Sequence, residues 1–482
     1  MNPAFSLRKK IGFFVGPFFF ILMLFLTPAE GLKPSAWYTA ATGVLMVSWW
    51  ITEPVPIAVT ALIPLIVLPV LGVDKIDKIA APYASPPIYL FLGGFLLALA
   101  MEKWNLHKRI GLYIIHWIGT KPRRIIAGFM YSSAFLSMWV SNTATAIMML
   151  PMGLSIIELI QQQLANEEKS NIRNFAICLL LSIAYGANIG GIGTIIGTPP
   201  NALMVSYFAN RGIDISFARW MMVGTPLVVI SLPLCYQLLT RFIFPVRLPE
   251  IPGGKEIIEK EFLKLGKISK PEKLIFLVFV ITAILLIFRT SLQKLIPGLN
   301  DSSIMLLSSL VLFSIPINLQ SGEFLLDWKT ARGIPWDVLL LFGGGLSFAY
   351  AVETTGLASF IGEKTIVLKD FPPLVIVAAV TTLIVFLTEL SSNTATVAAF
   401  LPVLSSVALG IHVNPLLLAI PATFSASCAF MMPIATPPNA IVYGSGMFSI
   451  PEMMRAGFWL NILFIIIITA ITFLLIKPVF GI

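Results

Sequence analysis

Apolar runs fill this chain from end to end, and most are as long as the roughly 17–25 residues that a helix needs to cross a bilayer. On those lengths the sequence predicts an all-α polytopic membrane protein with about eleven transmembrane helices. Polar letters interrupt the runs at two matching places. Ser141-Asn142-Thr143-Ala144-Thr145 returns unchanged as Ser392-Asn393-Thr394-Ala395-Thr396, 251 residues later (392 minus 141). Small hydroxyl and amide side chains in an apolar setting are costly to bury unless something polar sits against them. The duplication therefore predicts a binding site shared between two halves.

Taken in order, the runs give an uncleaved first helix (Phe13 to Leu26, within residues 1–35), a second (Trp37 to Ile51), a third (Val55 to Val73) and a fourth (Ile88 to Met101). The run Gly111 to Gly119 is too short to cross and is read as lying along the interface. The apolar block over 125–160 carries the first triplet and is bordered by Arg123 and Arg124 at one end and by Glu167, Glu168, Lys169 and Arg173 at the other. Arms of about 16 residues are short for full spans, so a re-entrant hairpin with the triplet at its tip is predicted. The segment 175–209 is interrupted at Gly190 to Asn201, where Pro199 and Pro200 forbid a continuous helix.

The second half repeats this order. Phe91 to Glu102 aligns with Phe342 to Glu353 at 251 (353 minus 102), and Gly197-Thr198-Pro199-Pro200-Asn201 returns as Ala435-Thr436-Pro437-Pro438-Asn439 at 238 (436 minus 198). A second hairpin over 372–409 and a second broken helix over 414–450 follow, before a last helix, Phe458 to Ile476. The repeats thus cover 36–246 and 274–482, joined by a solvated, amphipathic connector over 247–273 that mixes Lys255, Lys260 and Lys264 with Glu256, Glu259 and Glu261. Arg8, Lys9 and Lys10 place the N-terminus in the cytoplasm. Counting spans through the connector then runs the second repeat opposite to the first and leaves the C-terminus outside. Inverted repeats of secondary transporters place their site at the midplane, between interrupted helices.

Composition agrees: 57% of the 482 residues are hydrophobic and 11% charged. The net charge of +9 sits in short loops, as membrane orientation requires, and is not read as a nucleic-acid surface. Cys178, Cys235 and Cys428 lack CxxC spacing and read as packing. His107, His116 and His412 fall near span ends, and no nucleophile elbow, P-loop or ATPase signature is present, which argues against an enzyme or a pump. Of the intramembrane acids, Glu102 and Glu353 match across the repeat and read as helix anchors, whereas Glu389 is matched by Met138; a structural role is expected of all three. Unwound carbonyls and half-helix C-termini suit Na⁺, and N-termini suit carboxylates.

Ser137-Met138-Trp139-Val140-Ser141-Asn142-Thr143-Ala144-Thr145, Ser391 to Thr396, the two Thr-Pro-Pro-Asn breaks and Ile334 to Gly344 resemble the divalent anion/sodium symporters, in particular a bacterial member. The resemblance implies a homodimer in the cell (inner) membrane, each protomer with a scaffold and a transport part that moves as an elevator. It implies one Na⁺ site at Ser137, Ser141, Asn142 and the backbone of Gly197, and another at Thr388, Ser391, Asn393 and the backbone of Ala435. The dicarboxylate would lie among Ser141-Asn142-Thr143, Ser392-Asn393-Thr394, Thr198-Pro199 and Thr436-Pro437. Na⁺ ions are co-transported and no organic cofactor is implied. With no Lys or Arg in these motifs, the anion depends on bound Na⁺ and helix termini, which predicts sodium-first binding. The expected activity is Na⁺-coupled uptake of succinate, malate or fumarate, with citrate a further candidate. A sodium-independent exchanger is the nearest alternative, and an anion channel, which needs a continuous polar pore, a more distant one.

Overall fold

A computed structural model describes residues 7–119, 121–163, 168–248 and 254–482; Glu167 and residues 249–253 of the connector lie outside them, as do the side chains of 254–258, Lys255 and Glu256 included. Helices α1 (Leu7–Phe25) and α2 (Pro34–Thr52) pack on each other. The predicted third span is instead two short helices, α3 (Ile57–Thr60) and α4 (Ile63–Val70), because Pro64 has no N–H to offer Thr60 O and the chain tightens into a turn where Leu62 N meets Val59 O. After the short α5 (Ile76–Ala80) come α6 (Pro86–Lys103), α7 (Leu106–Ile118), α8 (Pro122–Ser137), α9 (Asn142–Gln163), α10 (Lys169–Gly191), α11 (Pro199–Ala209) and α12 (Phe217–Gln237). The connector contributes α13 (Gly254–Leu265), and the second half begins with α14 (Lys270–Ile287), α15 (Arg289–Leu292) and α16 (Asp301–Ser314).

Helix α16 stops at Ser314, and β1 (Pro316–Asn318) pairs with β2 (Glu323–Phe324) in a small antiparallel hairpin ahead of α17 (Trp328–Ala331). The chain continues through α18 (Trp336–Thr354), α19 (Leu357–Lys364), α20 (Pro373–Thr388), α21 (Asn393–Gly410), α22 (Leu416–Ala426), α23 (Pro437–Tyr443), α24 (Ile450–Ile471) and α25 (Lys477–Phe480). The last helix begins at Ile450, eight residues before Phe458 (458 minus 450). Ser449 and Glu452 close a capping box there, and Pro451 sits in the first turn. Seven helices among the described residues are long and apolar enough to cross a bilayer, and shorter apolar helices supplement them.

The repeat is visible helix by helix. Pro122 opens α8 and Pro373 opens α20, 251 apart (373 minus 122), and Asn142 and Asn393 open α9 and α21 at the same interval. Pro199 and Pro437 open α11 and α23 at 238 (437 minus 199). Even the π-helical tails match: Leu238–Ile243 prolongs α12 and Thr472–Ile476 prolongs α24. The two hairpin arms of the first half differ in length. At 1.5 Å per residue the 16 residues of α8 reach about 24 Å and the 22 of α9 about 33 Å, so α9 is longer than the short arm its sequence suggests.

Backbones approach closely where the site needs them to. Helix α10 lies along α8, and a Cβ at Gly190 would collide with the backbone of Ala134. Helix α7 buries Leu106, Leu112 and Ile115 and exposes Tyr113 and Trp117. Its buried Arg109 donates to Glu272 Oε1 at 2.7 Å and Oε2 at 3.3 Å, and to the carbonyls of Leu265 and Gly266 at 3.2 Å each. A buried charge is tolerable when it is paired and its remaining donors are satisfied, as here, and the pair pins α7 to the start of α14.

Candidate transport site

Four helix starts and four helix ends converge on one region. The hairpin tips, residues 138–141 and 389–392, join α8 to α9 and α20 to α21; the breaks, residues 192–198 and 427–436, separate α10 from α11 and α22 from α23. A cavity of about 670 Å³ lies among them. All ten residues expected to hold substrate line it, from Ser141, Asn142 and Thr143 through Thr198 and Pro199 to Ser392, Asn393, Thr394, Thr436 and Pro437. Gly197 and Ala435 line it too, while Ser137, Thr388 and Ser391 are buried behind it. Phe91, Phe95, Trp139, Ile196 and Ile434 give it an apolar wall.

The starts of α9, α11 and α21 direct the positive ends of their dipoles at this cavity, and α8, α10, α20 and α22 bring their negative C-terminal ends behind it. An anion in front and cations behind is the arrangement such termini favour. Pro199 and Pro200 remove two amide donors from the start of α11, so that helix offers an anion its dipole more than its N–H groups. Among the cavity's described lining residues the charged ones are Lys9, Glu53 and Asp337; Lys9 was read from the sequence only as an orienting residue.

Behind the first tip, Ser137 Oγ donates to Asn142 Oδ1. A Cβ built at Gly191 would stand 2.9 Å from Asn142 Oδ1 and 3.1 Å from Gly197 O, and one at Gly197 would stand 2.9 Å from Ser137 O. Ser137, Asn142, Gly191 and Gly197 therefore present oxygens to one small volume that only glycine leaves open. Hard monovalent cations take such oxygens. Ser141 stands apart: its hydroxyl caps α9, accepting from Ala144 N at 3.2 Å.

The second tip copies the first. Thr388 Oγ1 donates to Asn393 Oδ1 at 2.6 Å and reaches Ala426 O at 2.9 Å. The hydroxyl of Ser391 turns away, to Leu387 O at 3.0 Å and Thr396 Oγ1 at 2.7 Å, which leaves that residue its carbonyl.

Asn201 and Asn439, which close the doubled Thr-Pro-Pro-Asn motif and had no role assigned from it, hold the breaks in shape. Asn201 Nδ2 donates to the carbonyls of Gly191 at 3.0 Å and Thr194 at 2.7 Å. Asn439 Nδ2 donates to those of Ala429 at 2.9 Å and Met432 at 3.1 Å. Asn188, in α10, crosses between the halves and donates to Thr436 Oγ1 and Asn439 Oδ1, both at 3.1 Å. The one signal for it was a lone Asn within an apolar helix. Glu389, which the sequence assigned a structural role, accepts from the break amides of Phe430, Met431 and Met432 and from Asn461. Glu353 pairs with Arg211, and Glu102 lines a separate cavity of about 660 Å³ with Lys108 and Lys264.

Paired hairpins and paired broken helices around one cavity define a secondary membrane transporter, not an enzyme. The chain belongs to the sodium:sulfate symporter family, whose transmembrane region matches residues 8–482. It is 41% identical over 487 aligned residues to the sodium-dependent dicarboxylate transporter SdcS of Staphylococcus saprophyticus, covering 100% of this chain and 94% of the relative. The same figures hold for SdcS of Staphylococcus aureus. In fold it is similar to Neisseria gonorrhoeae MtrF, a protein placed in a class of antimetabolite efflux pumps, at a TM-score of 0.58 and 13% identity over 94% of this chain and 97% of MtrF. The Alcanivorax borkumensis YdaH transporter gives a TM-score of 0.58 and 11% identity over 93% of this chain and 99% of YdaH.

Proposed function

We propose that this chain couples inward movement of Na⁺ to uptake of C4 dicarboxylates such as succinate, malate and fumarate. The observation that carries the reading is the pairing at each tip of a buried oxygen cluster with a helix start that faces the cavity. At the first tip Ser137, Asn142 and Gly197 hold one ion; at the second Thr388, Asn393 and the Ala435 backbone hold another. The dicarboxylate lies in front, between Thr143 and Thr394 and against Thr198 and Thr436. Both SdcS relatives bear the name of sodium-dependent dicarboxylate transporters, which supports this choice of substrate and ion.

Charge fixes the order of events. The tips and breaks carry no Lys or Arg, and of the charged residues on the cavity wall Lys9 is outnumbered by Glu53 and Asp337, so a dianion entering an empty site gains little beyond helix dipoles. Na⁺ binds first and supplies the charge that holds it. In this reading the hairpins and broken helices form the moving part of an elevator, the remaining helices form a scaffold, and two protomers pair through it. The N-terminus is cytoplasmic and the C-terminus outside.

Ligand-induced stabilisation tests the order. Anything that binds only the folded state raises its melting temperature. Succinate is expected to raise it in NaCl and to leave it unchanged in choline chloride, while Na⁺ alone raises it. Equal stabilisation by succinate in both salts would defeat sodium-first binding.

A further inference from the structure

The two tips differ by one full charge. Glu389 directly follows α20, at the negative end of that helix's dipole, where a carboxylate is least welcome, and it is 3% exposed. Five contacts from four donors compensate it. Oε1 accepts from Phe430 N at 2.8 Å, Met431 N at 2.9 Å and Asn461 Nδ2 at 2.8 Å; Oε2 accepts from Met431 N at 3.0 Å and Met432 N at 3.1 Å. Both oxygens accept and neither donates, which is the pattern of an ionised carboxylate whose lone pairs are all in use. Glu389 is therefore neither an ion ligand nor a proton donor in this arrangement.

In the first repeat the matching residue is Met138 (389 minus 251). The matching break amides, Ile192 N and Gly193 N (430 and 431 minus 238), close turns on Ile189 O at 3.2 Å and Gly190 O at 2.9 Å. The carboxylate is thus present in the second half and has no counterpart in the first. Its chain neighbour is Thr388, whose hydroxyl bridges Asn393 Oδ1 and Ala426 O in the second oxygen cluster.

Resting on the two Na⁺ sites proposed above, we propose that Glu389 makes the second cluster the tight, first-filled Na⁺ site. The uncharged first cluster fills later. Hydrogen bonds spread the carboxylate's charge without cancelling it, and a neighbouring monopole counts for far more in a protein interior than in water. The same contacts tie the second tip to its break and, through Asn461, to α24. Glu389 is thus a positioning residue that acts on the ion through its field.

Equilibrium binding of radioactive Na⁺ to the purified full chain in detergent, without dicarboxylate, is the test. The wild type is expected to show a tight and a weak component, with Thr388→Ala removing the tight one and Ser137→Ala the weak one. Glu389→Gln is expected to weaken the tight component at least about tenfold, with succinate affinity at saturating Na⁺ within about twofold. Asn461→Leu removes a donor and leaves the charge, so Na⁺ is expected to bind no more weakly than to the wild type. A mere strut predicts weaker binding in both variants. The proposal is overturned if Glu389→Gln keeps the tight component, if Asn461→Leu loses it, or if Ser137→Ala is the variant that removes it. Should Glu389→Gln not fold, the Asn461 and Thr388/Ser137 arms decide alone. A wild type with no saturable Na⁺ binding would instead bring down the sodium reading itself.

Discussion

Asn201 and Asn439 hold their helix breaks by the same pair of hydrogen bonds, transposed by 238 residues. Asn201 takes the carbonyls of Gly191 and Thr194; Asn439 takes those of Ala429 and Met432, each exactly matched in sequence (429 minus 191, 432 minus 194). An unwound segment in an apolar surround survives only if its carbonyls find donors. The amide side chain that ends each Thr-Pro-Pro-Asn is what makes the break affordable.

Removing that donor strands two buried carbonyls, at a cost of about 1–3 kcal/mol for each group left unsatisfied. Asn201→Ala and Asn439→Ala should each lower the melting temperature and reduce uptake by at least an order of magnitude. Asn439→Ala should be the worse of the two, because it also removes one of the acceptors of Asn188. Thermal unfolding alongside uptake checks both; equal stability in the wild type and either variant would refute the role.

Asn142→Ala and Asn393→Ala delete the amide oxygen at the centre of each cluster. Uptake is expected to fall to background in both, and its dependence on Na⁺ concentration to vanish. Wild-type Na⁺ dependence in either single variant would remove that residue from its site.

Glycine is required at 191 for space. A methyl there meets Asn142 Oδ1 and Gly197 O, whereas one at Gly345 meets nothing closer than 3.4 Å. Gly191→Ala should abolish Na⁺-driven uptake while Gly345→Ala transports normally, a comparison made at matched membrane expression.

The three cysteines are buried and unpaired. A membrane-permeant maleimide should leave the native protein unlabelled, which makes Ile434→Cys, 68% exposed against the cavity, a clean reporter. Its labelling is expected to slow several-fold when Na⁺ and succinate are both present. Labelling that ignores ligand would place the substrate elsewhere.

Outside the spans, the hydrogen bond from Lys103 holds the Asp327 carboxyl down at about 2. A depressed carboxyl contributes stability above its ordinary value, near 4, and loses it as pH falls toward 2. Asp327 is 44% exposed, so the pair is worth no more than about 1 kcal/mol after screening. Asp327→Asn should melt slightly below the wild type from pH 8 to 5, and the two should converge only as pH drops below about 3.

The doubled triplet and the doubled break were legible because polar letters in an apolar run demand a partner, and their intervals carried straight through to matched hydrogen bonds. Less visible was whatever rests on one residue. Asn188 has Ala426 as its counterpart (188 plus 238), so no repeat pointed to it. The split of the third span at Ala61 and Leu62 had one mark, Pro64, inside an otherwise apolar run. The early start of α24 was marked by Ser449, Pro451 and Glu452, a capping signal outweighed there by the apolar run beyond it. Glu389 could be recognised as a structural acid, but three of its four donors are backbone amides about 40 residues away, which no side-chain pattern records.

Coupling is tested most directly by radiolabelled succinate uptake into proteoliposomes that contain no internal dicarboxylate, with and without an inward Na⁺ gradient. Concentrative uptake that appears only with the gradient is the predicted result. Uptake that ignores Na⁺ and requires preloaded dicarboxylate would contradict the account and make the protein an exchanger.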